Sequence, residues 1–111
     1  MTRLTVSKYA SVPAMSSVRL DHVVPDGETW DVMQFRGAAA YSSDVEVAVL
    51  WKAGTADEEV IAVTHGDAEY PAEHRLIGDG QLILRVVLDN ATSLEHTIGA
   101  AVDLIKLEID L

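Results

Sequence analysis

Val45-Glu46-Val47-Ala48-Val49-Leu50-Trp51 and Leu82-Ile83-Leu84-Arg85-Val86-Val87-Leu88 are the stretches whose reading decides the fold. In each, large apolar side chains recur at every second position. A period of two places alternate side chains on opposite faces of an extended chain, so both stretches read as strands with one buried face. Alternation alone selects Val45, Val47, Val49 and Trp51 as the inward set of the first, and Leu82, Leu84, Val86 and Leu88 as that of the second. Ile83 and Val87 then point outward, which leaves the second strand apolar on both faces.

Working outward, further short runs are separated by turn residues. A first strand is expected near Leu4–Tyr9, as an edge strand, with a break at Ser11-Val12-Pro13. A second runs over Met15–Val24, with Val18, Leu20, His22 and Val24 on one face and Arg19 and Asp21 on the other. Pro25-Asp26-Gly27-Glu28 is a turn, because proline presets φ and glycine accepts a positive φ. A third strand, Thr29–Arg36, changes parity between Val32 and Met33, which predicts a bulge. Gly37–Asp44 reads as a loop, Val45–Lys52 as the fourth strand, Ala53–Asp57 as a turn and Glu58–Thr64 as the fifth strand.

The polar stretch His65–His74 has no apolar stripe and reads as a loop. It is followed by a short strand at Arg75–Ile77 and a hairpin turn at Gly78-Asp79-Gly80. Gln81–Asp89 is a strand. Leu94–Ile98 and Ala100–Ile109 complete the set, interrupted at Gly99. A helix over Gly99–Leu111 competes through Val102, Ile105 and Ile109, but the density of Val and Ile and the lack of a cap favour strand. The sum is an all-β chain of eight or nine strands: an antiparallel two-sheet sandwich of jelly-roll or Greek-key type, in one domain.

Composition narrows function by exclusion. The 111 residues are 49% hydrophobic and 23% charged, with no cysteine and a net charge of −10. Such a chain is globular, repelled by phosphate backbones and anionic lipid heads, and has neither disulfides nor thiolate chemistry. No apolar run reaches the ~20 residues of a membrane helix. The N-terminus lacks the apolar region of a signal peptide, so synthesis in the cytoplasm without export is expected.

No motif carries catalytic or metal chemistry, so the chain reads as a non-enzyme without a cofactor. His22, His65, His74 and His96 are scattered, and no His-x-His pair precedes a glutamate. Asp67 and Glu69 alternate as calcium-binding loops do, but without the spacing of an EF-hand. There is no Gly-x-Ser-x-Gly elbow. Among the aromatics, Trp51 and Phe35 share parity with core residues. Tyr41 and Tyr70 fall in expected loops and are candidate exposed contacts, as are the outward Ile83 and Val87.

The blocks Val24–Trp30, Gly37–Ser42, Val49–Trp51, Thr64–Glu69, Gly78–Gly80 and Leu88–Asn90 resemble small jelly-roll accessory proteins of tailed bacteriophage virions. These include decoration (cement), head-fibre and tail-associated proteins. The resemblance spans residues 20–105 in turn habits and architecture and carries no catalytic residue. It implies a structural protein of the virion, made in the host cytoplasm. Such a protein is displayed in many copies as a homo-oligomer, often a trimer, on a capsid or tail protein. The alternative is a carbohydrate-binding sandwich, free or at a phage tail or fibre, gripping sugar rings with Tyr41 and Tyr70.

Overall fold

A computed structural model describes residues 2–39, 46–54, 58–65 and 68–108, and these form eight strands. They are β1 (Thr2–Val12), β2 (Ser16–Val23), β3 (Glu28–Ala39), β4 (Glu46–Ala53), β5 (Glu59–His65), β6 (Ala68–Ile77), β7 (Ile83–Asn90) and β8 (His96–Glu108). Among the described residues no helix is long and apolar enough to cross a membrane.

The pairing follows one rule. β1 pairs with β8, β2 with β7, β3 with β6 and β4 with β5, all antiparallel. The chain is thus a single long hairpin ribbon whose tip is β4–β5. The ribbon rolls up so that successive rungs fall alternately in two layers. β8 then pairs with β3, and β7 with β4, closing sheets of order β1-β8-β3-β6 and β2-β7-β4-β5. This is the jelly-roll form of the two-sheet sandwich.

Rolling has a consequence for the connections. Among the described strands only β4 and β5 are sequential neighbours in one sheet; every other connection crosses between layers. The expected hairpin at Gly78–Gly80 is therefore a sheet-to-sheet crossing. It packs on the Pro25 turn, where the Glu28 N–H donates to Pro25 O (3.1 Å) and Gly27 takes φ +87°. Gly78 N–H donates to Glu28 O (2.8 Å), and a Cβ at Gly78 would lie 1.9 Å from Pro25 O. Close backbone approach, not hairpin geometry, requires that glycine.

Two further expectations change, and one is met. Residues 68–77 form β6 rather than a loop and a short strand. β6 is an edge strand, where Pro71 can sit because one side of the strand needs no ladder donor. β8 runs unbroken through Gly99, which was expected to interrupt it, and the described residues form eight strands. Gly99 is opposite Tyr9, whose ring lies over it and occupies the space of a side chain. The bulge expected in β3 is present, as a register shift between Val32 and Gln34 against both neighbours.

The core lies between the sheets. Trp30, Val32 and Phe35 of β3, Val102 and Leu104 of β8, and Leu84, Val86 and Leu88 of β7 are buried, with Val6, Val12, Val24, Leu76, Leu82 and Ile98 around them. In β4 the core residues are Ala48 and Leu50. The inward set expected there was the opposite one: Val47, Val49 and Trp51 are half-buried on the outer face, and Val45 lies outside the described residues.

One end of the sandwich is tied by a single buried amide. Asn90 Nδ2 donates to the carbonyls of Val12 (2.9 Å), Pro13 (3.3 Å) and Leu94 (2.8 Å). Its Oδ1 accepts from Thr92 N (3.0 Å) and Thr92 Oγ1 (2.7 Å). The β1–β2 and β7–β8 connections are joined through this side chain.

Candidate interaction surface

Both outer faces mix polar and apolar side chains. On the β1-β8-β3-β6 sheet two cross-strand rows are ion-paired, while Tyr9 and Ile77 stand 65% and 70% exposed. Asp103 accepts from Thr5 Oγ1 (2.8 Å) and Arg36 Nη2 (3.0 Å), and Arg75 grips Asp31 through two hydrogen bonds of 2.7 and 3.0 Å. These ladders neutralise charge side by side, as a solvated sheet face requires.

On the β2-β7-β4-β5 sheet the apolar outward side chains are grouped on β7, β4 and β5, beside Arg19 and Asp21 of β2. In register, one row reads Arg19, Val87, Val49, Val63; the next reads Asp21, Arg85, Trp51, Val60. Ile83 and Val23 oppose each other in a third row. Val60, Val63 and Val23 are 45%, 38% and 51% exposed, and Val49, Trp51, Ile83 and Val87 are half-buried. β7 alternates without fault, so Ile83 and Val87 point outward as its sequence predicts.

β4 supplies this face because its neighbours decide which of its two apolar sets goes inside. Leu50 pairs with Val86 and Ala62, which lie on the inner face, so Val49 and Trp51 must lie on the other. The β4–β5 register shifts between Leu50 and Trp51, with Ile61 as the extra residue of β5.

An open groove of about 390 Å³ crosses the face, lined by Ser17, Arg19, Trp51, Glu58, Arg85 and Val87. Arg85 is clamped to Asp21 by hydrogen bonds of 2.7 and 3.2 Å. That hydrogen bonding holds the Asp21 carboxyl below its ordinary pKa and raises Arg85 further. The groove therefore keeps both charges at neutral pH, beside an indole and a valine.

Of the residues singled out by sequence, Ile83 and Val87 share this face. Tyr70 does not: it lies in β6, in register with Phe35 in the other sheet, not in a loop. Tyr41 lies outside the described residues. Trp51, read as core, belongs to the surface instead; its signal was the matching apolar content of both β4 faces. The described residues hold no group of three His, Cys, Asp or Glu side chains arranged to bind a metal.

No protein-family model matches the chain, and no curated protein matches it. Among solved structures it is similar to the Drosophila NLP core, studied for pentamer formation and histone binding. That likeness is 13% in identity, covers 89% of this chain and 97% of the other, and has a TM-score of 0.48. It is also similar to a de novo designed double-stranded β-helix, with 10% identity, 95% and 100% coverage and a TM-score of 0.35. These similarities are too distant to bear on function.

Proposed function

We propose that the chain is a non-catalytic structural subunit that docks on a larger protein assembly through the outer face of the β2-β7-β4-β5 sheet. The assembly is the virion of a tailed bacteriophage, where the subunit decorates the capsid or tail. The observation that carries the docking role is the group of apolar side chains, Val49, Val60, Val63, Ile83, Val87 and Trp51, on the outer face of three adjacent strands, β7, β4 and β5. Apolar side chains grouped on an exposed sheet face mark an interaction site. The phage setting rests on the resemblance in turns and architecture. The net charge of −10 keeps unassembled copies apart and steers them to a less acidic shell.

The test uses an antiserum to the purified chain on gradient-purified particles from the cells that encode it. Co-banding with particles supports the reading; chain confined to the soluble fraction overturns it. Rebinding to stripped particles should be lost in Val87→Asp, with thermal melting confirming that the variant folds.

The groove favours a second reading, a saccharide site in which Trp51 stacks on a sugar ring while Arg85, Glu58 and Ser17 offer hydrogen bonds. Saturable quenching of tryptophan fluorescence by a glycan, lost in Trp51→Ala, would favour it.

A further inference from the structure

Sheet edges are templates for pairing with another chain, and folded proteins guard them. Among the described residues the two sheets have four edges, and three of them carry a recognisable guard. β6 has Pro71. β5 has its bulge at Ile61. β1 has Lys8 on the inward parity shared by Val6 and Val12, and an inward charge blocks a neighbour. β2 has none of these. It pairs with β7 without a register break over all eight residues and contains no proline, glycine or lysine. Its inward residues Val18, Leu20 and His22 stay half-buried at the rim of the core.

We infer that the free edge of β2 binds β2 of a second copy, antiparallel and centred on Leu20. The register follows from parity and charge. Residues directly opposite in an antiparallel pair share a face, so the centre of a two-fold pair must fall on a residue, not between two. Centring on Arg19 sets arginine against arginine, and centring on Asp21 sets aspartate against aspartate. Both are destabilising. Centring on Leu20 sets Arg19 opposite the copy's Asp21 twice, Val18 opposite His22 twice and Leu20 opposite itself.

Asp21 already holds Arg85 from within its own sheet, so each outer row becomes a ladder of Arg85, Asp21 and the copy's Arg19. The product is an eight-stranded sheet with the apolar face doubled. This inference does not depend on what that face docks to.

Sedimentation velocity of the full chain from about 5 to 500 μM tests it. A monomer–dimer equilibrium is expected. Arg19→Glu, at an exposed site, places like charges opposite each other twice, so the dimer dissociation constant should rise roughly tenfold or more. Because the chain has no cysteine, Leu20→Cys adds a single thiol. Opposed Cα atoms in antiparallel strands lie about 4.5–5.5 Å apart, within disulfide range. Oxidation should give a covalent dimer for Leu20→Cys and none for Ser93→Cys in the β7–β8 loop.

A monomer throughout, a trimer or larger ring, a dimer indifferent to Arg19→Glu, or a dimer that a folded Leu20→Cys fails to cross-link overturns the inference. If Leu20→Cys does not fold, the Arg19→Glu result decides. Failure here with intact binding to particles refutes the dimer and leaves the docking role standing; the reverse refutes only the docking role.

Discussion

Replacing Asn90 with alanine removes one side chain that serves two connections. The amide is fully buried and satisfies the carbonyls of Val12, Pro13 and Leu94 while accepting from the backbone and hydroxyl of Thr92. Val12 is itself fully buried, so water cannot readily replace the donor to its carbonyl. An unsatisfied buried acceptor costs about 1–3 kcal/mol, and each hydrogen bond to a more accessible group a further ~0.5–1 kcal/mol. Counting Val12 at the full penalty, and Leu94 and the Thr92 N–H at the smaller one, the expected loss is about 2–5 kcal/mol.

Urea unfolding followed by tryptophan fluorescence measures it as a lower midpoint at unchanged slope. Asn90→Asp should be at least as damaging, because it keeps the acceptor for Thr92 but turns an anion toward three carbonyls. A cost below about 0.5 kcal/mol for Asn90→Ala, within the range of ordinary surface substitutions, would refute the view that this amide anchors the end of the sandwich.

Two neighbours in β4 provide a second check. Leu50→Ala, in the core, should cost about 2–5 kcal/mol, whereas Val49→Ala, on the outer face, should cost under about 1 kcal/mol in the monomer; equal losses by chemical unfolding would contradict the assigned faces. Acid should destabilise the fold. Asp21 and Asp31 are held below the ordinary carboxylate pKa by hydrogen bonds from Arg85 and Arg75, and Asp79 by the backbone N–H groups of Gln81 and Leu82. Carboxylates with depressed folded values give stabilisation that is complete above the unfolded value near pH 4 and is lost as pH falls through the lower folded values. The melting temperature should therefore hold from pH 7 to about 5 and drop below about pH 4, with a shallower drop in Arg85→Met.

How much was legible in the sequence depended on the contrast between the two faces of each strand. β2 and β3 mix polar with apolar positions, so their buried sides and the Val32–Gln34 bulge could be read directly. β7 carries Arg85 and Asp89 at outward positions, which settled its parity and placed Ile83 and Val87 correctly. β6 was hidden because an edge strand pairs on one side only, and its polar residues and Pro71 look like a loop.

The sequence by itself determined that this chain is all-β, that a turn falls at Pro25–Glu28, and that it carries more apolar side chains than one core needs. Tertiary structure decided which surplus residues face outward. In β4 both alternating sets are apolar, so local pattern assigns no inside; pairing with β7 and β5 sends Leu50 into the core and Val49 and Trp51 to the surface. The same holds for the free edge of β2. Whether a strand is central or at an edge depends on how the ribbon rolls, a long-range relation that local alternation does not encode.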